Sequence, residues 1–166
     1  MKIISIIGTR PQYIKIKPMI QTFQNLGISH EYIDTGQHYS DELSKRVLVD
    51  LELPPPIVNL NIGQMSQASQ ISKMIEMLEK QLVRLDPSYI LVYGDTNSTL
   101  AAGLTAAILK IPFGHIEAGL RSQNALMSEE QNRILVDHAA SRLYAPTFLA
   151  MQNLEKEGLE SKSLFT

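Results

Sequence analysis

Two acidic residues follow two short apolar runs near the middle of the chain. Asp95 comes after residues 90–93, and Glu117 comes directly after residues 113–116. The small residues between the two runs predict a helix, so the two runs should be parallel strands of a βαβ unit. Ligands of open parallel sheets lie outside the carboxyl ends of the strands. We therefore expect both carboxylates to face one crevice, where a carboxylate pair can remove and return a proton.

A basic turn comes early in the chain. Gly8-Thr9-Arg10-Pro11 leaves a strand and opens a helix, and Lys15 follows on that helix. The free N–H groups and the dipole of a helix N-terminus bind anions, and a guanidinium fits phosphate. A plain strand-to-helix turn explains the tetrapeptide equally well. The missing second and third glycines exclude the dinucleotide fingerprint, and the turn is not a Walker loop.

Two histidines and one further acid belong near the same edge. His38 and His115 follow or end predicted strands, although a lone histidine is more often structural. Their spacing is not that of a metal pair, so we expect no metal. Glu129 stands in the first turn of a predicted helix, where an i,i+4 pair with Arg133 would also explain it. In the same way, Asp95 or Thr96 could simply cap a helix.

The elements that must position these residues alternate along the chain. Apolar runs near residues 2–7, 32–34, 57–60, 90–93, 113–116 and 142–145 predict strands, and helical patterns follow each of them. This alternation predicts an α/β fold with a doubly wound, Rossmann-like parallel sheet. The strand that leads to Arg10 should lie beside the strand that leads to Asp95.

The composition limits the class of protein. The chain has 166 residues, 44% hydrophobic and 19% charged, with no cysteine and a formal net charge of −2. This favours one globular domain without a disulfide framework, and it gives no general attraction to nucleic acid. No apolar run is long enough to cross a membrane, and the first strand is too short for a signal peptide. We expect a cytoplasmic protein without a nucleic-acid or membrane partner.

Five motifs in order resemble a known family. They are GTRPQYIKIKP, DTGQH, VYGDTNSTLAAGL, GHIEAGLRS and SEEQNR. Together they resemble the non-hydrolysing UDP-N-acetylglucosamine 2-epimerases and their close relatives over nearly the whole chain. The resemblance implies a glycosyltransferase-B type of fold, with the active site between two Rossmann-like domains. Members of that family are more than twice as long. Residues 1–166 are therefore expected to form the N-terminal domain, without the C-terminal nucleotide-binding domain.

The resemblance also implies roles for single residues. Asp95, Glu117 and Glu129 match the catalytic acids of the family. The implied mechanism removes the proton at C2, expels UDP to leave a 2-acetamidoglucal, and re-adds both to invert C2. It needs a UDP-sugar and no cofactor, it supplies precursors of cell-surface polysaccharides, and a homodimer is expected for the full-length enzyme. The implied substrate-binding residues are Arg10, Lys15, His38, His115, Arg121, Asn132 and Arg133.

Two departures from the family pattern keep the substrate open. Gln12 stands where the epimerase motif usually has Glu, and Ser128 replaces the usual Pro. The segments GTRPQ, YGDTNSTL and RSQNALM together resemble the branch that acts on UDP-2,3-diacetamido-2,3-dideoxyglucuronate. Two other classes of function compete with an epimerase. One is a non-catalytic sugar-nucleotide-binding half-domain, and the other is a fragment of a glycosyltransferase-B-type enzyme or a phosphosugar hydrolase. We expect the 166-residue chain alone to be inactive, because a diphosphate held from one side is poorly oriented.

Overall fold

The computed structural model describes residues 1–37 and 41–166. Strands and helices alternate through these residues, as the apolar periodicity predicts. The elements are β1 Lys2–Ile7, α1 Arg10–Asn25, β2 Ser29–Asp34, α2 Asp41–Asp50, β3 Val58–Asn59, α3 Gln67–Leu85, β4 Tyr89–Tyr93, α4 Asn97–Ile108, β5 Phe113–Ile116, α5 Ser128–Ala139, β6 Arg142–Ala145, α6 Phe148–Lys156, a 3-10 turn Glu160–Lys162 and β7 Ser163–Phe165.

All seven strands join one sheet in the order β3-β2-β1-β4-β5-β6-β7, and every pairing is parallel. The order reverses between β1 and β4, which is the switch point where doubly wound sheets place their ligands. The doubly wound fold predicted from the sequence is confirmed. The predicted neighbours are confirmed as well, since β4 pairs with β1 on one side and with β5 on the other.

Both faces of the sheet carry a hydrophobic core. On one face, Met74, Leu78 and Leu82 of α3 pack with Ile90 and Val92 of β4, all of them fully buried. On the other face, α1 contributes the buried side chains Tyr13, Ile16 and Ile20, which pack with alternate residues of β1 and β4. This alternation follows from the two-residue period of a strand, which sends successive side chains to opposite faces.

The candidate acid after β4 does not cap a helix. Thr96 caps α4, with its side chain accepting from the Thr99 N–H. Asp95 is therefore not the N-cap of α4, although the sequence permitted that role. Thr9 is the N-cap of α1 and Pro11 lies in its first turn, as expected.

The sequence missed one strand. β7 follows the last predicted helix and extends the sheet beyond β6, pairing Tyr144 with Leu164. Its three residues, Ser-Leu-Phe, lack the β-branched run that identifies the inner strands, so its pairing depends on contact with β6 rather than on local preference. Of the described helices, none combines the length and apolar character that crossing a membrane requires.

The face that carries α1 is incompletely covered. An apolar groove of about 630 Å³ lies beside Met19 and Phe23 of α1. Its floor is formed by residues of β4, β5 and β6 that point to this face, namely Tyr89, Leu91, Ile116, Arg142 and Tyr144. This surface lies beside α1, on the opposite face of the sheet from the main α3–α6 core.

Candidate functional site

The turn after β4 presents Asp95 to solvent. Its carboxylate is about a quarter exposed, and Oδ2 lies 2.7 Å from Nη2 of Arg133 on α5. The Asn132 side chain donates to the backbone carbonyl of Asp95 at 2.9 Å. Consecutive residues of α5 therefore hold the backbone and the carboxylate of Asp95. The expected pair between Glu129 and Arg133 is not what the structure shows, because Arg133 turns toward Asp95.

The turn after β5 presents Glu117 in a strained conformation. Its φ of 73° lies in the left-handed region, which costs a non-glycine residue about 1–2 kcal/mol. Its carboxylate Oε2 lies 2.5 Å from Nζ of Lys15 on α1, and both side chains are about 30% exposed. Backbone strain of this kind clusters at functional sites.

Gly94 makes room for this ion pair. A Cβ added at Gly94 would stand 3.2 Å from Glu117 Oε2 and 3.8 Å from Lys15 Nζ. Gly94 also has a φ of 67°, which favours glycine. Because β4 and β5 are neighbours, with Tyr93 opposite Ile116, Asp95 and Glu117 leave the sheet at one edge. The prediction that both acids follow neighbouring strand ends is confirmed.

A buried glutamine joins the turn after β1 to the turn after β4. Gln12 Oε1 accepts from the Gly8 and Thr9 N–H groups at 2.8 and 3.2 Å. Its Nε2 donates to the Tyr93 carbonyl at 2.7 Å and lies 3.1 Å from the Thr96 hydroxyl. An amide can accept on one side and donate on the other, whereas a carboxylate can only accept. The Gln that stands here in place of the usual Glu therefore matches donors on one side and an acceptor on the other.

Arg10 lies on the rim of this edge. It is the first residue of α1 and is exposed. The turn before it is closely packed, because a Cβ at Gly8 would overlap the side chains of Thr35 and Ser98. Gln37 fixes the same region by accepting from the Ser98 N–H at 2.9 Å. The expected basic turn thus has a rigid base and a guanidinium directed outward from the fold.

Glu129 lies in an adjoining polar cavity of about 390 Å³. It is exposed at the start of α5, and its carboxylate accepts from the Ser128 hydroxyl. Amide side chains dominate the lining of the cavity. The lining comprises Gln37, Gln64, Met65, Gln67, Gln70, Thr96, Asn97, Ser128, Glu129 and Asn132. Alternating amide donors and acceptors suit a neutral polar ligand group such as a hydroxyl or an acetamide.

Sequence reasoning missed the amide pair Gln70 and Asn97 in this cavity. Gln70 is 4% exposed and donates to the backbone carbonyls of Gly63 and Gln37 at 2.7 and 3.1 Å. Its Oε1 accepts from Asn97 Nδ2 at 2.7 Å. A polar residue on the apolar face of α3 was the available signal, because buried amides need partners.

Glu130 rather than Glu129 holds the loop before α5. Its two carboxylate oxygens accept from the Ser122 and Gln123 N–H groups at 2.8 and 3.0 Å. Burial raises the pKa of this carboxyl, but the two backbone hydrogen bonds outweigh burial and the pKa is lowered. Glu129 therefore lines the cavity, whereas Glu130 supports the loop before α5.

The side chains of His115 and Arg121 are buried and do not reach the exposed edge of the sheet. His115 is fully buried, and its two ring nitrogens lie 2.7 Å from Asp137 Oδ1 and 2.6 Å from the Gly94 carbonyl. The Arg121 side chain is 6% exposed and pairs with Asp137 and Glu157. Direct contact with substrate, as expected from the motifs, does not fit this burial. His38 lies outside the described residues.

The edge of the sheet thus gathers carboxylates beside cations. Asp95 with Arg133 and Glu117 with Lys15 form two partly exposed ion pairs on neighbouring turns. Such an arrangement can exchange a proton with a bound substrate and can hold an anionic group nearby. Among the side chains that the structure describes, those of residues 1–37 and 46–166, no group of three or more histidine and acidic side chains is placed to bind a metal ion.

Comparison with known proteins places the chain among sugar-nucleotide enzymes. The family model described as UDP-N-acetylglucosamine 2-epimerase matches residues 21–166. The UDP-N-acetylglucosamine 2-epimerase of Methanocaldococcus jannaschii is 45% identical over 165 residues, which is 99% of this chain and 45% of the relative. Its crystal structure with UDP-GlcNAc and UDP matches with a TM-score of 0.95 and 44% identity, covering 99% of this chain and 46% of that one.

A second curated relative belongs to the other branch. The UDP-2,3-diacetamido-2,3-dideoxy-D-glucuronate 2-epimerase of Pseudomonas aeruginosa is 41% identical over 164 residues, covering 98% of this chain and 46% of the relative. The chain spans less than half the length of both relatives.

The fold reaches further than the sequence likeness. MurG of Acinetobacter baumannii matches with a TM-score of 0.66 at 13% identity, covering the whole of this chain and 45% of that one. At that identity the likeness concerns the fold alone, and it agrees with the Rossmann-like, glycosyltransferase-B type of architecture. Motifs, fold and the matched model agree, and the chain belongs to the UDP-N-acetylglucosamine 2-epimerase family.

Proposed function

We propose that this chain is the N-terminal, sugar-handling half of an enzyme that inverts C2 of UDP-N-acetylglucosamine or a related UDP-2-acetamido sugar. The observation that carries the proposal is the pair of partly exposed carboxylates, Asp95 and Glu117, at neighbouring strand ends, each beside a cation. In this view, residues 1–166 form one domain, and a second domain contributes most contacts to the nucleotide. The proposal rests also on the likeness to two 2-epimerases.

The reaction proposed is elimination followed by re-addition. One carboxylate takes the proton from C2 while UDP leaves C1, which gives a 2-acetamidoglucal. UDP and a proton then return, with the proton entering C2 on the opposite face. Two acids on different turns can serve the two faces, and Glu129 is the third candidate acid. The step moves protons and UDP only and needs no redox cofactor.

Cations at the same edge would hold the leaving group. Arg10 is exposed beside a helix N-terminus, and Lys15 reaches the site from the same helix. A phosphate oxygen bound by Lys15 would compete with Glu117 for the ammonium, so binding of the diphosphate would release the Glu117 carboxylate for proton transfer. Arg133 holds Asp95, and Asn132 fixes the turn.

The wider assignment follows from the proposed chemistry. A UDP-2-acetamido sugar is an activated precursor, so we place the enzyme in cell-surface polysaccharide precursor synthesis, in the cytoplasm. We expect a homodimer for the full-length protein and no nucleic-acid or membrane partner. The amide-lined cavity would accept either an acetamido sugar or its diacetamido relative.

Solvent exchange tests the proposal. A hybrid enzyme joins residues 1–166 to the part of the M. jannaschii relative that follows its matched region. With UDP-N-acetylglucosamine in D₂O, the hybrid should yield a C2-inverted product carrying deuterium at C2, observed by proton NMR. The 166-residue chain alone should show negligible inversion.

A contrary result would favour the other class of function. A hybrid that binds UDP-N-acetylglucosamine but leaves C2 protonated and uninverted would support a non-catalytic binding domain. If free sugar is released and the remaining substrate contains no deuterium, the protein would instead be a hydrolase.

A further inference from the structure

The imidazole of His115 lies between two acceptors. Nδ1 is 2.7 Å from the Asp137 carboxylate and Nε2 is 2.6 Å from the Gly94 carbonyl. Neither acceptor carries a hydrogen to donate, since one is a carboxylate and the other a backbone oxygen. A neutral imidazole has a single N–H and could satisfy only one of them. A ring that makes both hydrogen bonds carries a proton on each nitrogen.

Asp137 is the centre of this network. Its Oδ1 faces His115, while Oδ2 accepts from the Gly119 N–H at 3.0 Å and lies 2.8 Å from Arg121 Nη1. Burial raises the pKa of Asp137, but the hydrogen bond from His115, the charge of Arg121 and the hydrogen bond from the Gly119 amide outweigh burial. The pKa of Asp137 is therefore lowered, and the group is a carboxylate.

A cation at His115 would face a buried carboxylate at close range. Arg121 donates from Nε and Nη2 to the two carboxylate oxygens of Glu157, at 2.8 and 2.7 Å. Arg121 and His115 thus lie against the carboxylates of Asp137 and Glu157, and the Lys162 ammonium donates to the Asp137 backbone carbonyl at 2.9 Å at the edge of the cluster. His115 and Asp137 have no exposed side-chain surface, and an unbalanced charge at such a site is costly.

The network reaches both acid-bearing turns. Gly94 directly precedes Asp95, and its carbonyl is held by His115. Gly119 lies two residues after Glu117, and its N–H is held by Asp137. Gly94 N–H also donates to the Ile116 carbonyl at 2.9 Å, so the ends of β4 and β5 are hydrogen-bonded directly as well. One buried ion pair thus contacts the turn after β4 and the turn after β5 together.

We infer that His115 is a buried imidazolium, and that the bridge Gly94–His115–Asp137–Gly119 sets the separation of the Asp95 and Glu117 turns. His115 and Asp137 are positioning residues, because both side chains are fully buried. That these turns carry catalytic acids rests on the proposed function. The charge of His115 and the contacts of the bridge do not depend on it. It replaces the expectation that His115 binds substrate.

Nitrogen NMR of the ring tests the charge state without any ligand. In the 15N-histidine-labelled chain at pH 7, His115 should show two ring N–H signals and ring nitrogen shifts of an imidazolium. Its Hε2 should show a cross-peak to an α proton of Gly94, whose carbonyl oxygen lies 2.6 Å from Nε2. A single ring N–H at His115 would overturn the inference. No variant is needed for this measurement, so a failure of variants to fold does not affect it.

Substitution tests the positioning role. Asp137→Asn should remove one of the two ring N–H signals and shift the backbone amide signals of Gly94, Asp95, Glu117 and Gly119. Asp86→Asn is the matched control, because it makes the same change of side chain at an exposed position just after α3. The control should leave those four signals and the His115 ring unchanged. Shifts in Asp137→Asn that stay within α5 would contradict the bridge.

The outcome is independent of turnover. A chain with the two ring signals that fails to invert a UDP-sugar would keep the bridge and lose the proposed function. An active hybrid whose His115 has one ring N–H would keep the function and lose the bridge.

Discussion

Lys15 Nζ and Glu117 Oε2 lie 2.5 Å apart, directly over Gly94. The ion pair joins the first helix to the turn after β5 across the end of β4. It brings a predicted phosphate-binding cation and a predicted catalytic acid into contact. The space for this contact exists because residue 94 has no side chain.

Replacing Gly94 should disturb this pair. Gly94→Ala should destabilise the fold by about 1–2 kcal/mol, because φ is positive, and should also push the Glu117 carboxylate away. Urea unfolding of the chain measures the stability, and turnover of the hybrid enzyme measures the site. We expect turnover to fall about 10-fold or more.

Gly27→Ala separates the two effects. Gly27, just after α1, has a φ of 64°, but an added Cβ there meets nothing within 4 Å. The control should therefore lose about 1 kcal/mol of stability and keep its turnover. Equal turnover in the two variants would show that the space over Gly94 has no role in the site.

The two carboxylates should act mainly in the transition state. In the hybrid, Asp95→Asn and Glu117→Gln should each lower kcat about 100-fold or more, with UDP affinity changed less than about 3-fold. Steady-state kinetics and calorimetry with UDP provide the two quantities. Glu160→Gln, at an exposed position in the short 3-10 turn, is the control and should leave both unchanged. A parallel loss of binding and turnover would assign these acids to ground-state binding.

Arg10 should act on binding instead. Arg10→Ala should weaken UDP binding by the hybrid about 10-fold, the scale of one charged hydrogen bond to phosphate. Calorimetry at fixed ionic strength measures the change. Arg84→Ala removes an exposed guanidinium on α3 that donates to the Gln81 side chain, and it should leave UDP affinity unchanged. If Arg10→Ala leaves the UDP affinity unchanged, the GTRP turn has a structural role and does not bind the diphosphate.

Gln12 should be a major contributor to stability. Gln12→Met keeps the volume but leaves the Gly8 N–H and the Tyr93 carbonyl without this partner, and we expect a loss of about 2–3 kcal/mol. Urea unfolding gives the free energy. Gln21→Met, on the exposed side of the same helix, should change stability by less than about 0.5 kcal/mol. Similar values for the two variants would mean that the buried amide is not needed to join the turns.

His30 should make stability depend on pH. Burial lowers the pKa of His30 to about 4, while the nearby Glu31 opposes the shift. The unfolded chain therefore takes up a proton near pH 6.5 while the folded chain does not, so stability falls as pH decreases from about 6.5 to 4. After discounting for partial exposure, we expect a loss of about 1–2 kcal/mol over this window.

The difference between the wild type and His30→Gln isolates this effect. Other groups that titrate in the same range contribute equally to both proteins and cancel. Unfolding curves at pH 7 and pH 4.5 should show a larger decrease for the wild type. A constant difference between the two proteins at both values would exclude the histidine as the cause.

The strands next to the site were predictable because their apolar runs are long and their turns are polar. The parallel order of β1, β4 and β5 follows from the crossover rules, and it predicts that Asp95 and Glu117 lie at one edge. The roles of the motif residues in binding and catalysis remain predictions.

Side-chain partners were not predictable in the same way. Arg133 could pair with Glu129 one turn away, yet it reaches Asp95 on another element. His115 was placed near the correct edge, but its burial depends on Asp137, which lies 22 residues later. A sequence pattern gives the face on which a residue lies, whereas such pairings depend on how α5 packs against the sheet.

The left-handed backbone of Glu117 sets stability against function at one position. Glycine tolerates a φ of 73° without strain, so a selection for thermal resistance alone would favour Glu117→Gly. The selected protein would be easier to produce and would lack the carboxylate that faces Lys15. Engineers who screen this domain for robustness should therefore exclude position 117 from their libraries, because the most durable clones would include inactive ones.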